Sequence, residues 1–221
     1  MTSSLPSPSA ASVLDLAPAP VVPVVVVGDV SDAVPLARAP VAGGLSAIEV
    51  TLRTPAALDA VREISGAVPE AVVGAGTVIS PEQVTACAAA GARFLVSPGW
   101  TDVLLTAMRA CGLPFLPGVP TTSEVVALLE RGVRDMKFFP AQAAGGAAYL
   151  RALAGPLPQA RFCPPGGIGP DNAPEYLGLP NVCCMGGSWM VPPEAVAARD
   201  WPWIEELART ASRLTAGVTC R

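Results

Sequence analysis

Histidine is absent from all 221 residues of this chain. The side chain that most often moves protons near neutral pH is therefore missing. Any proton transfer falls to a carboxylate, a tyrosine, a cysteine or a lysine, and a zinc site could draw only on cysteine and carboxylate ligands. Tyrosine is scarce as well, with Tyr149 and Tyr176 alone. Charged residues make up 14% of the chain, the net charge is −4, and no basic patch occurs. That balance argues against a nucleic-acid partner. No positive side chain precedes Arg38, so a secretory signal lacks its basic opening region. The longest purely apolar runs are too short to cross a bilayer, which argues against membrane insertion. The six cysteines (Cys87, Cys111, Cys163, Cys183, Cys184 and Cys220) include no CxxC spacing. In a chain this long and apolar they read as small buried thiols of a cytoplasmic protein, without a disulfide framework.

Lysine is the most informative scarcity. The chain holds thirteen arginines and one lysine, Lys137, inside the run Asp135-Met136-Lys137-Phe138-Phe139-Pro140. Arginine stays protonated and cannot act as an amine nucleophile, whereas lysine can shed its proton in apolar surroundings. A lone lysine between apolar neighbours is a candidate for Schiff-base chemistry on a carbonyl substrate. The competing explanation is a composition that drifted toward arginine and left one lysine by chance.

Half of the residues, 51%, are hydrophobic, enough for a sizeable core. Residues 1–20 are rich in Ser, Ala and Pro and read as a flexible arm with at most one helical turn near Ser12–Leu16. From residue 21 to 221 a single domain is expected. Apolar runs begin near Val21, Ala47, Ala71, Phe94, Pro114, Asp135, Arg161 and Val182, at intervals of 20 to 26 residues. Helix signals fall between them. Ser80-Pro81 starts one segment and Gly91 stops it; Thr101-Asp102 and Gly112 bracket the next; Thr122-Ser123-Glu124 and Gly132 bracket another; Gly169-Pro170-Asp171 opens one after the seventh run. The β-like runs are continuously apolar rather than alternating, as when both faces of a parallel sheet are covered. Eight βα units without a break in composition predict an α/β fold, a closed (β/α)8 TIM barrel.

In such a barrel the chemistry lies at the C-terminal ends of the strands. Glu49, Thr51 and Arg53 are spaced by two and share one face of the second strand. A glutamate in an apolar strand is costly to bury unless it is paired or useful; a structural ion pair is the alternative to catalysis. Lys137 and Phe139 likewise share a face, and for Phe139 core packing is the competing role. Gly166-Gly167 and Gly186-Gly187-Ser188 place glycines in the two loops where this barrel commonly holds phosphate. Gly74-Ala75-Gly76 is not a dinucleotide fingerprint, because Ile79 stands where the third glycine belongs.

Seven stretches together resemble the 2-keto-3-deoxy-6-phosphogluconate (KDPG) and 4-hydroxy-2-oxoglutarate (KHG) aldolase family. They are Val22-Pro23-Val24-Val25-Val26-Val27, Glu49-Val50-Thr51-Leu52-Arg53-Thr54, Val73-Gly74-Ala75-Gly76-Thr77-Val78, Ser97-Pro98-Gly99, Lys137-Phe138-Phe139-Pro140-Ala141, Arg161-Phe162-Cys163-Pro164 with Gly166-Gly167-Ile168, and Gly186-Gly187-Ser188-Trp189. The resemblance implies a class I lyase of carbohydrate metabolism, in the Entner–Doudoroff route, that cleaves a phosphorylated 2-keto acid to pyruvate and glyceraldehyde 3-phosphate. By that likeness Lys137 is the Schiff-base lysine and Glu49 the general acid/base. Arg53 and Thr77 hold the pyruvyl carboxylate, Pro98 and Phe139 shape the pocket, and Gly166, Gly167 and Ser188 take the phosphate. It also implies a cytoplasmic homotrimer with no metal and no organic cofactor. Two positions depart from the family pattern: Pro165 stands where threonine is usual, and Pro120 where serine is usual. The first removes a hydroxyl and a backbone N–H. Alternatives are an aldolase for the galactonate epimer or for unphosphorylated 4-hydroxy-2-oxo acids, and a non-catalytic phosphate-binding barrel.

Overall fold

The structure, a computed structural model, describes residues 12–16 and 19–214. Most of the expected arm and Cys220 lie outside them. Nine short strands alternate with ten helices among the described residues. The strands are β1 (Val21–Val25), β2 (Ala47–Thr51), β3 (Val72–Gly76), β4 (Leu95–Val96), β5 (Phe115–Leu116), β6 (Gly118–Val119), β7 (Asp135–Phe138), β8 (Arg161–Cys163) and β9 (Met185–Gly187). The helices are α1 (Val13–Leu16), α2 (Ala33–Ala42), α3 (Ala57–Ala67), α4 (Pro81–Ala89), α5 (Asp102–Cys111), α6 (Thr122–Glu130), α7 (Gly146–Ala154), α8 (Ala173–Leu177), α9 (Pro193–Ala197) and α10 (Trp201–Ser212).

All strand pairs are parallel, in the orders β5-β4-β3-β2-β1-β9 and β6-β7-β8. The two sheets are one curled barrel. β5 and β6 are halves of the fifth expected strand, parted at Pro117, which has no N–H to give to a ladder. Its carbonyl still accepts from the Lys137 N–H at 2.9 Å. At the other seam, β8 meets the last strand through the parallel bridges Phe162↔Val182 and Pro165↔Gly186. Three residue steps on one side face four on the other, so one extra residue bulges out of this ladder near Cys183-Cys184. That bulge is why the last ladder strand starts at Met185 rather than Val182.

Helix ends follow the chemistry of their termini. The hydroxyls of Ser80, Thr101 and Thr121 accept from the N–H groups of Gln83, Leu104 and Glu124. Gly112 ends α5 at φ 76°, the left-handed conformation that glycine adopts without strain.

Burial divides the core in two. Met136 and Phe138 of β7 join the large cluster between strands and helices. Alternation along the strand therefore turns Asp135 and Lys137 to the inside. The inner cluster contains Val22, Ala47, Phe94, Val96, Leu116, Cys163 and Cys184, together with Val13 and Leu14 of α1. Part of the expected flexible arm is thus a buried plug. It is tied to the N-terminal ends of β7 and β8: Ser12 Oγ donates to Asp135, Arg161 pairs with Asp135 at 2.6 and 2.8 Å, and Asp15 stands 3.8 Å from Arg161.

Candidate active site

Lys137 and Glu49 meet inside the barrel. Lys137 Nζ donates to Glu49 Oε1 at 3.3 Å, and each residue is about 95% buried, at 5% and 4% exposure. They come from opposite parts of the ring, 88 residues apart in sequence. Lys137 Nζ also lies 4.9 Å from the centroid of the Phe139 ring, close enough for the ring face to attract a cation. One amine, one carboxylate and one aromatic face converge inside the barrel.

The strands that flank these two groups carry little bulk. Lys137 stands opposite Gly118 on β6 and Cys163 on β8. Gly118 lets the Pro98 carbonyl fold down beside β6; a Cβ there would come within 2.2 Å of that oxygen. The Cys163 thiol is buried and hydrogen-bonded with the free Cys184 thiol, and this contact, followed by burial, pushes it well above the usual thiol range. It is held as a neutral thiol in the field of both Glu49 and Lys137. Cysteines as small buried residues fit Cys87, Cys163 and Cys184, but Cys183 is disulfide-bonded, against the expectation of thiols throughout.

The remaining predicted residues surround the C-terminal end of the barrel. Arg53 follows β2 and is exposed, and among the described residues its guanidinium has no hydrogen bond or ion pair. Thr51, on the same face, gives its hydroxyl to the Val25 carbonyl at 3.0 Å and so ties β2 to β1. Thr77 follows β3 with φ 61°, a left-handed conformation that a β-branched residue adopts only under strain. Pro98 is half-buried in the turn after β4. Phe139 lies next to Gly166: a Cβ on that glycine would touch its ring at 3.5 Å.

Gly166 and Gly167 both take left-handed backbone, at φ 103° and 75°. The carbonyls of Pro165 and Gly166 turn back to accept from Ala141 and Gln142, at 2.9 and 3.0 Å. The Gly166 amide faces the Gly186 carbonyl in the Pro165↔Gly186 bridge, and the Gly167 amide has no hydrogen-bond partner among the described residues. Ser188 is exposed just after β9, beside this loop through the Pro165↔Gly186 bridge. Gly186 and Gly187 differ from expectation, since both are buried ladder residues and Gly187 lies against the Trp189 ring. Lys137 therefore meets both Glu49 and Phe139, Gly166 lies beside Phe139, and Ser188 follows the Gly186 that bridges Pro165. Arg53, Thr77 and Pro98 follow the C-terminal ends of their strands and, among the described residues, make no hydrogen bond or ion pair with Lys137. A separate surface groove of about 310 Å³, lined by Arg38, Trp201 and Glu205 among others, lies on α2 and α10 and holds no amine.

Gly76, Gly118 and Cys163 do not stand out in the sequence as parts of the site. Their signal was parity: each lies an even number of residues from a neighbour known to face inward, or opposite one across the ladder.

The family model for KDPG and KHG aldolases matches residues 13–207. The chain is 52% identical over 192 residues to the KHG/KDPG aldolase of Escherichia coli K12, covering 87% of this chain and 90% of that one. It is 50% identical over 199 residues to the 2-dehydro-3-deoxy-phosphogluconate aldolase of Pseudoalteromonas atlantica, covering 90% and 93%. A similar solved structure is the KDPG aldolase of Legionella pneumophila with pyruvate captured as a covalent carbinolamine, at TM-score 0.86 and 49% identity, covering 88% and 95%. Another is that of Zymomonas mobilis with 3-phosphoglycerate, at TM-score 0.85 and 45% identity, covering 91% and 95%.

Proposed function

The chain belongs to the KDPG and KHG aldolase family, and from that premise we propose that it is a class I aldolase that cleaves 2-keto-3-deoxy-6-phosphogluconate to pyruvate and glyceraldehyde 3-phosphate. The observation that carries this reading is the buried pair of Lys137 Nζ and Glu49 Oε1, 3.3 Å apart. A phosphate-binding barrel without chemistry has no use for an amine and an acid converging in one hollow.

The reaction follows from these groups. The Lys137 amine, once uncharged, adds to the C2 ketone to give a carbinolamine. Loss of water yields a protonated imine, which accepts electrons from the C3–C4 bond. Glu49 takes the proton of the C4 hydroxyl, the C3–C4 bond breaks, and glyceraldehyde 3-phosphate leaves. The bonding electrons remain as an enamine on C3. Glu49 returns a proton to C3, water adds to the imine carbon, and pyruvate departs as the amine is regenerated. Acid–base help of this kind contributes ~10²–10⁴-fold in rate. Arg53, with its unpaired guanidinium, and Thr77 take the pyruvyl carboxylate. Pro98 and Phe139 wall the pocket. The Gly166-Gly167 loop, with Ser188, receives the phosphate. The protein acts as a cytoplasmic homotrimer of the Entner–Doudoroff route.

Pro165 favours a second reading within the same chemistry. It offers the substrate neither hydroxyl nor N–H, so it weakens recognition of one polar substituent and admits the galactonate epimer or 4-hydroxy-2-oxoglutarate. A pyruvate-release assay on all three substrates separates these. Lys137→Ala and Lys137→Arg are expected to abolish release with the fold retained. Borohydride with pyruvate is expected to add one adduct to the wild-type chain at Lys137. An unlabelled wild-type chain that still cleaves substrate would overturn the imine mechanism.

A further inference from the structure

After Val72, which packs against the inner cluster, strand β3 presents only glycine to the barrel interior. Ala75 faces the outer core, so Gly74 and Gly76 face the interior. The two vacancies are used differently. A Cβ on Gly74 would strike the Phe94 ring at 2.3 Å. For a Cβ on Gly76 the three nearest atoms would all belong to Glu49: Oε1 at 2.1 Å, Cγ at 2.6 Å and Cδ at 2.7 Å. In the β2·β3 ladder, however, the residue opposite Glu49 is Gly74, and Gly76 stands opposite Thr51. The Glu49 side chain thus leans two positions along β3, toward the C-terminal end where the substrate enters. Its carboxylate rests on bare backbone, and Lys137 Nζ reaches it there.

We propose that Gly76 is a positioning residue of the reaction: its missing Cβ is the seat that lets the Glu49 carboxylate lie one layer nearer the barrel mouth, within reach of the carbons attached to Lys137. The inference rests on the proposed roles of Lys137 and Glu49. A methyl group at position 76 cannot coexist with the present carboxylate. The carboxylate must drop back to the level of Gly74, where the Phe94 ring already fills the space, or swing across the barrel. Either way the imine can still form on Lys137, while proton exchange at C3 is lost. Gly76 is not in the left-handed region, so alanine fits its backbone, and the three nearest contacts of its Cβ would all be with Glu49.

The test is the exchange of pyruvate methyl protons into D₂O, followed by proton NMR beside borohydride trapping of the imine. For Gly76→Ala, trapping at Lys137 is expected to persist while exchange falls ~10²-fold or more. In a Glu49→Ala background the same Gly76→Ala change is expected to cost nothing further in exchange or in Tm, because the clash has been removed. Should Gly76→Ala fail to fold alone yet fold beside Glu49→Ala, the seat is supported; failure to fold in both backgrounds overturns it. Wild-type exchange in a folded Gly76→Ala protein also overturns it. A Glu49→Ala protein that exchanges like wild type, or a wild type that is not trapped at Lys137, sinks the catalytic reading itself and not merely the role of Gly76.

Discussion

Thr77 carries the clearest backbone strain near the site. Its φ of 61° costs a β-branched side chain of the order of 1–3 kcal/mol relative to relaxed backbone. Such strain persists when the side chain is wanted in one place, and the proposed use is to hold the pyruvyl carboxylate. Thr77→Gly is therefore expected to leave stability unchanged or raise it by up to ~1 kcal/mol, since glycine relieves the strain but adds freedom to the unfolded chain. The KM for substrate is expected to rise in the same protein. Urea unfolding beside steady-state kinetics checks both, and a marked loss of stability would show that Thr77 serves the fold instead. The buried pair that meets inside the barrel was legible in the sequence, because scarcity marks both members: one lysine, and one glutamate in an apolar strand. Gly76 was not, because its contribution is an absence, and a missing Cβ matters only once the neighbour that fills the space is known.

At the scale of elements, α1 shows how a short segment acquires structure from its surroundings. A four-residue helix has almost no stability of its own. It persists because Val13 and Leu14 enter the inner cluster and because Ser12 and Asp15 reach Asp135 and Arg161. Leu14→Ala is expected to cost about 2–3 kcal/mol, read as a shifted urea midpoint with an unchanged slope. A cost below ~0.5 kcal/mol would mean that the turn is not docked in solution. The sequence showed a possible turn here but not its burial, since the Ser/Ala/Pro composition around it masks two apolar residues. Strand positions were readable from β1 to β8 because both faces of each strand are covered and the runs are continuously apolar. The break at Pro117 and the bulge near Cys183 were not, because both depend on which neighbour each residue pairs with.

For the whole molecule, the closed ring was legible from eight repeated units, whereas assembly was not, because no residue type marks an interface by itself. The proposed homotrimer is expected to show a mass near 67 kDa by light scattering, three times the 22.4 kDa chain. Ile79 and Val103, at 62% and 67% exposure after β3 and at the start of α5, are apolar surface that association would cover. A mass near that of one chain at working concentration would discard the trimer.

The pairing of β1 with β9 has a consequence for how the protein is made. Val21 leaves the ribosome well before its partner Met185. Until then β1 has an open flank and the cavity for Leu14 has no far wall. Contacts this distant along the chain slow folding. The nascent protein must carry a greasy, unsealed half-ring through that interval, and β9 is what turns it into an enclosed vessel.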